Sequence, residues 1–110
     1  MKRELQSKQR KMRVLSVICS TAAALTGPDR NQMTCAATST GVKTFTLTVP
    51  FGSSSQYSVI ATCATTGKIC NVSITSSSVF VVNSTNVDGT TAANSILHVQ
   101  VIGSDIATNY

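Results

Sequence analysis

"YSVIATCATTGKICNVSI", residues 57–74, alternates apolar and small polar side chains, breaks at a glycine, and alternates again. Period-2 alternation is the signature of a half-buried strand, and the "TTGK" break carries hairpin-type turn chemistry. With Thr66 and Gly67 as a two-residue loop, residue 65 pairs with 68, 64 with 69 and 63 with 70. Cys63 and Cys70 then face each other on adjacent strands with Cα atoms about 5.5 Å apart or less, inside the disulfide range. They form a candidate disulfide. Packed free thiols are the preferred reading, because proteins assembled in a cytosol keep such thiols reduced. A zinc site is disfavoured, since the spacing exceeds the usual one and two further ligands are needed.

The same alternation runs through most of the chain. Candidate strands are "RVLSVICST" (13–21), "QMTCAAT" (32–38), "VKTFTLTV" (42–49), "QYSVIATC" (56–63), "KICNVSIT" (68–75), "VFVVN" (79–83) and "SILHVQVIG" (95–103). Between them lie breaks rich in Gly, Pro, Ser, Asn and Asp: "TGPDRN", "STG", "PFGSSS", "TTGK", "SSS" and "NVDGTTAAN". The expected fold class is all-β, an antiparallel β-sandwich of about seven strands. At 110 residues the chain is long enough for one modest core. Serine and threonine supply 31 of the 110 residues while only 12% are charged, a polar but uncharged surface suited to extended β structure.

Faces follow from parity. Phe45, Leu47 and Val49 share one face of their strand, and Thr44, Thr46 and Thr48 the other. In the last strand Leu97, Val99 and Val101 are assigned to the core. Ile96, His98, Gln100 and Ile102 form the opposite face, which is half apolar and therefore a candidate subunit contact.

Charge divides the chain differently. Residues 1–13, "MKRELQSKQRKMR", hold Lys2, Arg3, Lys8, Arg10, Lys11 and Arg13 against the single acid Glu4, a net +5. Residues 14–110 balance three basic against three acidic side chains. The organisation expected is a basic N-terminal arm (1–13), which serves as an anchor on an anionic or acidic partner, followed by the sandwich domain (14–110). The arm is the one helical candidate, with too few apolar anchors to be stable alone. "VLSVICSTAAALTG" after it has the outline of a secretory signal, but Ser16, Cys19, Ser20 and Thr21 interrupt the apolar run, so cleavage is not expected. No stretch has the length of a transmembrane helix.

Reactive chemistry is sparse. His98 is the sole histidine, and a structural or interface role is favoured over a triad. Asp29, Asp88 and Asp105 are too scattered to suggest paired carboxylates or a calcium loop. The "NVS" and "NST" sequons at Asn71 and Asn83 are what chance gives in a chain so rich in Ser and Thr. Three Phe, two Tyr and no Trp offer little for stacking nucleic-acid bases or sugars.

The combination "KTFTLTVPF…YSVIAT…ICNVSITSSSVFVVN…DGTTAANSILHVQVIGSD" resembles small β-sandwich modules of tailed-bacteriophage virion proteins. Such modules occur in tail fibres and in head fibres or decoration proteins, and are distantly similar to H-type lectin domains. The pattern covers roughly residues 42–107: a strand ending at Val49–Pro50–Phe51, then Tyr57–Thr62, Val72–Thr75, and a closing strand over Val99–Asp105. The resemblance implies a homotrimeric, non-enzymatic subunit located in the virion and assembled in the host cytoplasm. Its partners would be other virion proteins of the capsid or tail. Carbohydrate or host-receptor binding is the alternative, although this chain lacks the tryptophan often used for it. No catalytic residue, metal or cofactor is expected, and neither nucleic acid nor membrane is an expected partner. The trimer contact would use Ile96, His98, Gln100 and Ile102.

Overall fold

A computed structural model describes residues 12–104. The chain is an all-β sandwich of two four-stranded antiparallel sheets. In chain order the strands are β1 (Met12–Cys19), β2 (Leu25–Thr26), β3 (Met33–Ser39), β4 (Val42–Leu47), β5 (Tyr57–Cys63), β6 (Lys68–Ile74), β7 (Val79–Asn86) and β8 (Leu97–Ser104), with one 3-10 turn at Arg30–Gln32. Sheet A has the order β2-β1-β8-β5 and sheet B the order β3-β4-β7-β6.

Seven of these are the strands the alternation marks. The eighth, β2, lies in the "TGPDRN" break and its approach, where two residues are too few to show a period. It forms because the chain reverses tightly after Cys19: the Ser20 hydroxyl accepts hydrogen bonds from the amides of Ala22 and Ala24 at 3.2 and 3.1 Å. Asp29 then pins the returning segment, its carboxylate accepting the Ser16 amide at 2.8 Å.

The hairpin expected at 57–74 is not formed. β5 pairs with β8 in sheet A and β6 pairs with β7 in sheet B, so "TTGK" carries the chain from one sheet to the other. The connection is held to sheet A, because the Ala64 amide donates to the Ile96 carbonyl at 2.7 Å and the Thr65 hydroxyl accepts the Ile96 amide at 3.0 Å. These bonds extend the β5–β8 ladder past Cys63 and leave β6 free to pair elsewhere.

The core lies between the sheets. From sheet A come Leu15, Val17, Cys19, Tyr57, Leu97, Val99 and Val101; from sheet B come Met33, Phe45, Leu47, Phe80 and Val82. Removing each such side chain from water contributes roughly 1.5–3 kcal/mol. Four aromatic rings run through it as a chain. Phe45 stacks on Phe80 at 4.9 Å, Tyr57 meets Phe80 edge-on at 6.5 Å, and Phe51 stacks on Tyr57 at 4.7 Å. The Tyr57 hydroxyl reaches the Ser76 carbonyl at 2.8 Å, so the buried phenol is satisfied. Burial raises its pKa above the ordinary value of 10.0.

Val49 departs from its expected face. β4 ends at Leu47, the chain turns through Pro50, and Val49 is 53% exposed while Phe51 enters the core in its place. Phe51 needs Gly103 opposite it: a Cβ there would collide with the Phe51 ring and lie 2.6 Å from Tyr57 Cβ. Gly41, at φ +74° in the β3–β4 turn, has the other conformational demand, with its carbonyl accepting the Ser84 amide at 2.7 Å.

The division between residues 13 and 14 falls inside β1, which opens at Met12. Arg13 is built into the sandwich. Its guanidinium donates to the carbonyls of Val49 at 2.6 Å and Pro50 at 3.2 Å and lies 3.9 Å from the Phe51 ring centroid.

Candidate functional site

Register defines the outer face of sheet A row by row. Val14 lies opposite Ile102, which lies opposite Ser58; Ser16, Gln100 and Ile60 form the next row; Ile18, His98 and Thr62 the third. Because parity sends Leu15, Val17 and Cys19 inward, their neighbours Val14, Ser16 and Ile18 point out. Val14 is 50% exposed, Ile60 54% and Ile18 38%. His98 and Gln100 stand exposed in the middle strand, and Ile102 is half-buried. A shallow depression of about 380 Å³ lies over this grid, lined by Ser16, Ile18, Pro28, Ile60, His98 and Gln100.

Three of the four expected contact residues, His98, Gln100 and Ile102, therefore belong to one surface. Ile96 precedes β8 at the rim, 40% exposed, with its backbone tied to Ala64 and Thr65. Val14, Ile18 and Ile60 were not among the expected residues. Their signal was present in the alternation of β1 and β5, but parity alone does not say which strands flank β8.

The outer face of sheet B is different. Its central row reads Ala36, Thr44, Val81, Ser73, with Val42, Asn83 and Asn71 beside it. Thr, Ser and Asn are in the majority, with Val42, Val79, Val81 and the exposed Ile69 among them, so this outer face is the more polar of the two.

The thiols are the other chemistry the sequence offers. All four cysteines are free. Cys63 and Cys70 are brought together across the gap between sheets, not along a ladder. Cys70 donates to the Ala61 carbonyl at 3.3 Å, and burial together with the neighbouring Cys63 thiol pushes it up to about 11. Cys70 is thereby held as a thiol.

Asp88, in the turn between β7 and β8, accepts the amides of Thr90 and Thr91 at 2.8 and 2.9 Å and the Thr91 hydroxyl at 2.7 Å. Those bonds, led by the two from Thr91, hold its carboxyl down to about 2. They make it a turn-former, consistent with "VDGTT" as a turn signal. Among the described residues no group of three or more His, Cys, Asp or Glu side chains is placed to hold a metal ion. No helix among them is long and apolar enough to cross a membrane. Of the basic residues assigned to an anchor, Lys2, Arg3, Lys8, Arg10 and Lys11 lie outside the described residues, and Arg13 is engaged as described above.

Comparison with protein-family models, with curated protein sequences and with solved structures gave no match.

Proposed function

We propose that this chain is a non-enzymatic structural subunit of a bacteriophage virion, of the decoration or fibre type. In this reading it associates as a homotrimer through the outer face of sheet A and is anchored to capsid or tail proteins by its basic N-terminal segment. The observation that carries the assembly half is the contrast between the two outer faces. Sheet A groups Val14, Ile18, Ile60 and Ile102 around His98 and Gln100, whereas on sheet B Val42, Val79, Val81 and Ile69 are interspersed in a Thr/Ser/Asn majority. Apolar groups clustered on one face of a small domain favour a partner over solvent. In a symmetric contact the Gln100 amide can both donate and accept between copies. The virion half rests on the sequence resemblance over residues 42–107 alone.

Glycan capture is the second reading, drawn from the polar groups in the depression at Ser16, His98 and Gln100. Against it, Phe45, Phe51, Tyr57 and Phe80 are all buried, so none of these rings is offered to a sugar.

Light scattering on the full chain at micromolar concentration tests the assembly. A trimer is expected for the parent and a monomer for Ile60→Asp, with unchanged circular dichroism. A monomeric parent that also stands as isolated copies on particles defeats the trimer. For the anchor, the chain lacking residues 1–11 should still trimerise yet fail to co-sediment with particles. Co-sedimentation equal to the parent's defeats the anchor. Specific retention on a glycan array, lost in His98→Ala, would favour the second reading.

A further inference from the structure

We propose that Cys19 and Cys35 are an oxidisable dithiol that closes into a disulfide between the two sheets, with the buried Lys43 side chain as its activating cation. Cys19 ends β1 in sheet A and Cys35 lies in β3 of sheet B, and their sulfurs are 3.4 Å apart. A disulfide needs about 2.05 Å, so closure takes a small side-chain adjustment from each partner and no rearrangement of strands. Cys19 is fully buried, while Cys35 is half-buried and opens the pair toward solvent.

Lys43 is the independent observation. It faces inward from β4 at 0% exposure, and its Nζ has no hydrogen-bond partner. Cys35 is registered with Phe45 and Ala37 with Lys43, so Lys43 occupies the inward position diagonal to Cys35, within reach of a long side chain. A buried cation without a partner calls for a nearby anion. The two thiols are the ionisable groups on which its charge acts. The Cys35 hydrogen bond first, then Lys43, lower Cys19 below the ordinary 9.0 against the opposing effect of burial. The same shared hydrogen bond, with burial, raises Cys35. Within the pair Cys19 is the sulfur whose ionisation is favoured, and Cys35 the one whose ionisation is opposed. In the other pair, burial and the neighbouring Cys63 thiol raise Cys70, which donates to the Ala61 carbonyl, and no buried lysine without a hydrogen-bond partner stands beside it.

The oxidant required is a small peroxide, which is compact enough to reach a buried sulfur. The Cys19 thiolate attacks one oxygen of hydrogen peroxide; the O–O bond breaks, and the departing hydroxide leaves as water with the proton Cys19 had shed. The resulting sulfenic acid is attacked by the Cys35 sulfur. The S–O bond breaks, the S–S bond forms, and a second water leaves with the Cys35 proton. Two thiols lose two electrons in all, and the peroxide oxygens gain them.

The test uses the reduced full-length protein, treated with equimolar hydrogen peroxide and then blocked with a maleimide. Trypsin separates the four cysteines onto residues 14–30, 31–43, 44–68 and 69–110. The expected product joins 14–30 to 31–43 within one molecule, persists in the Cys63→Ser/Cys70→Ser variant, and raises the thermal midpoint by on the order of 10 °C. Lys43→Met removes the cut after residue 43, so it is made in the Cys63→Ser/Cys70→Ser background, where 14–30 joined to 31–68 should form at least about threefold more slowly. Recovery of Cys19 and Cys35 both carrying maleimide overturns the proposal, as does a sulfinic acid at either without a link, or a link only between molecules. Oxidation of Lys43→Met at the parent's rate overturns the role given to Lys43.

Discussion

Lys43 faces the core between Val82 on one side and Ala37 on the other, its amino group without a hydrogen-bond partner. A buried polar group left unsatisfied costs about 1–3 kcal/mol, more if charged. Methionine nearly matches the length of lysine and needs no partner. Lys43→Met should therefore stabilise the reduced protein by about 1–3 kcal/mol, seen as a higher thermal midpoint under reducing conditions. A lower midpoint would mean that Lys43 has a stabilising partner. Gly103 makes the opposite case. Because its missing side chain is the space occupied by Phe51 and Tyr57, Gly103→Ala should destabilise by about 1–3 kcal/mol, read as a lower urea midpoint with unchanged slope. The first effect was readable in principle: Lys43 shares parity with Phe45 and Leu47. Parity cannot reveal whether a lysine near a strand end reaches solvent or stays buried.

At the scale of elements, Arg13 ties β1 to the segment after β4 through two carbonyls and the face of Phe51. Deleting residues 1–11 should leave the thermal midpoint unchanged. Deleting residues 1–13 should lower stability by about 1–2 kcal/mol, since a partly desolvated cation–π contact and charge-assisted bonds are both lost. Equal midpoints for the two truncations would assign Arg13 to the arm after all. The Asp88 turn responds to acid. Its folded carboxyl, at about 2, titrates below the ordinary 3.8, so its ordering of the turn is complete above the unfolded value and is lost as pH falls through the folded one. Amide resonances of Thr90 and Thr91 should titrate together with a midpoint near 2; a midpoint near 3.8 would show that the carboxylate makes no such bonds in solution. Seven strands were legible because each is long enough to display a period. The assignment of β5 to β8 and of β6 to β7 was not, because turn residues such as "TTGK" serve a hairpin and a sheet-to-sheet connection alike.

For the whole molecule, the difference between the two outer faces determines where a partner can sit. A charge placed on the more polar face is the control for the assembly proposal. Thr46→Asp should keep the parent's oligomeric mass by light scattering, whereas Ile102→Asp should reduce it to the monomer. Loss of assembly in both would indicate a general effect of charge and remove the outer face of sheet A from the proposal. The sheet-joining thiol pair acts on the same scale. A link from Cys19 to Cys35 connects the first strand of one sheet to an edge strand of the other, so it should resist separation of the layers more than local fraying.

The sequence by itself determined the fold class, seven of the eight strands and the inward set on β8, because a two-residue period fixes both the strand and its faces wherever one face is buried. It also determined that His98, Gln100 and Ile102 turn away from Leu97, Val99 and Val101. Tertiary structure alone decided which strands are neighbours. That put Val14, Ile18 and Ile60 beside the β8 residues, carried Cys63 and Cys70 into opposite sheets, and brought Cys19 within 3.4 Å of Cys35, sixteen residues away. The physical reason is that alternation is a local property of one strand. Pairing and stacking are instead settled by where each buried face finds its complement, and by the hydrogen bonds of connections such as Ala64–Ile96 that commit a segment to one sheet.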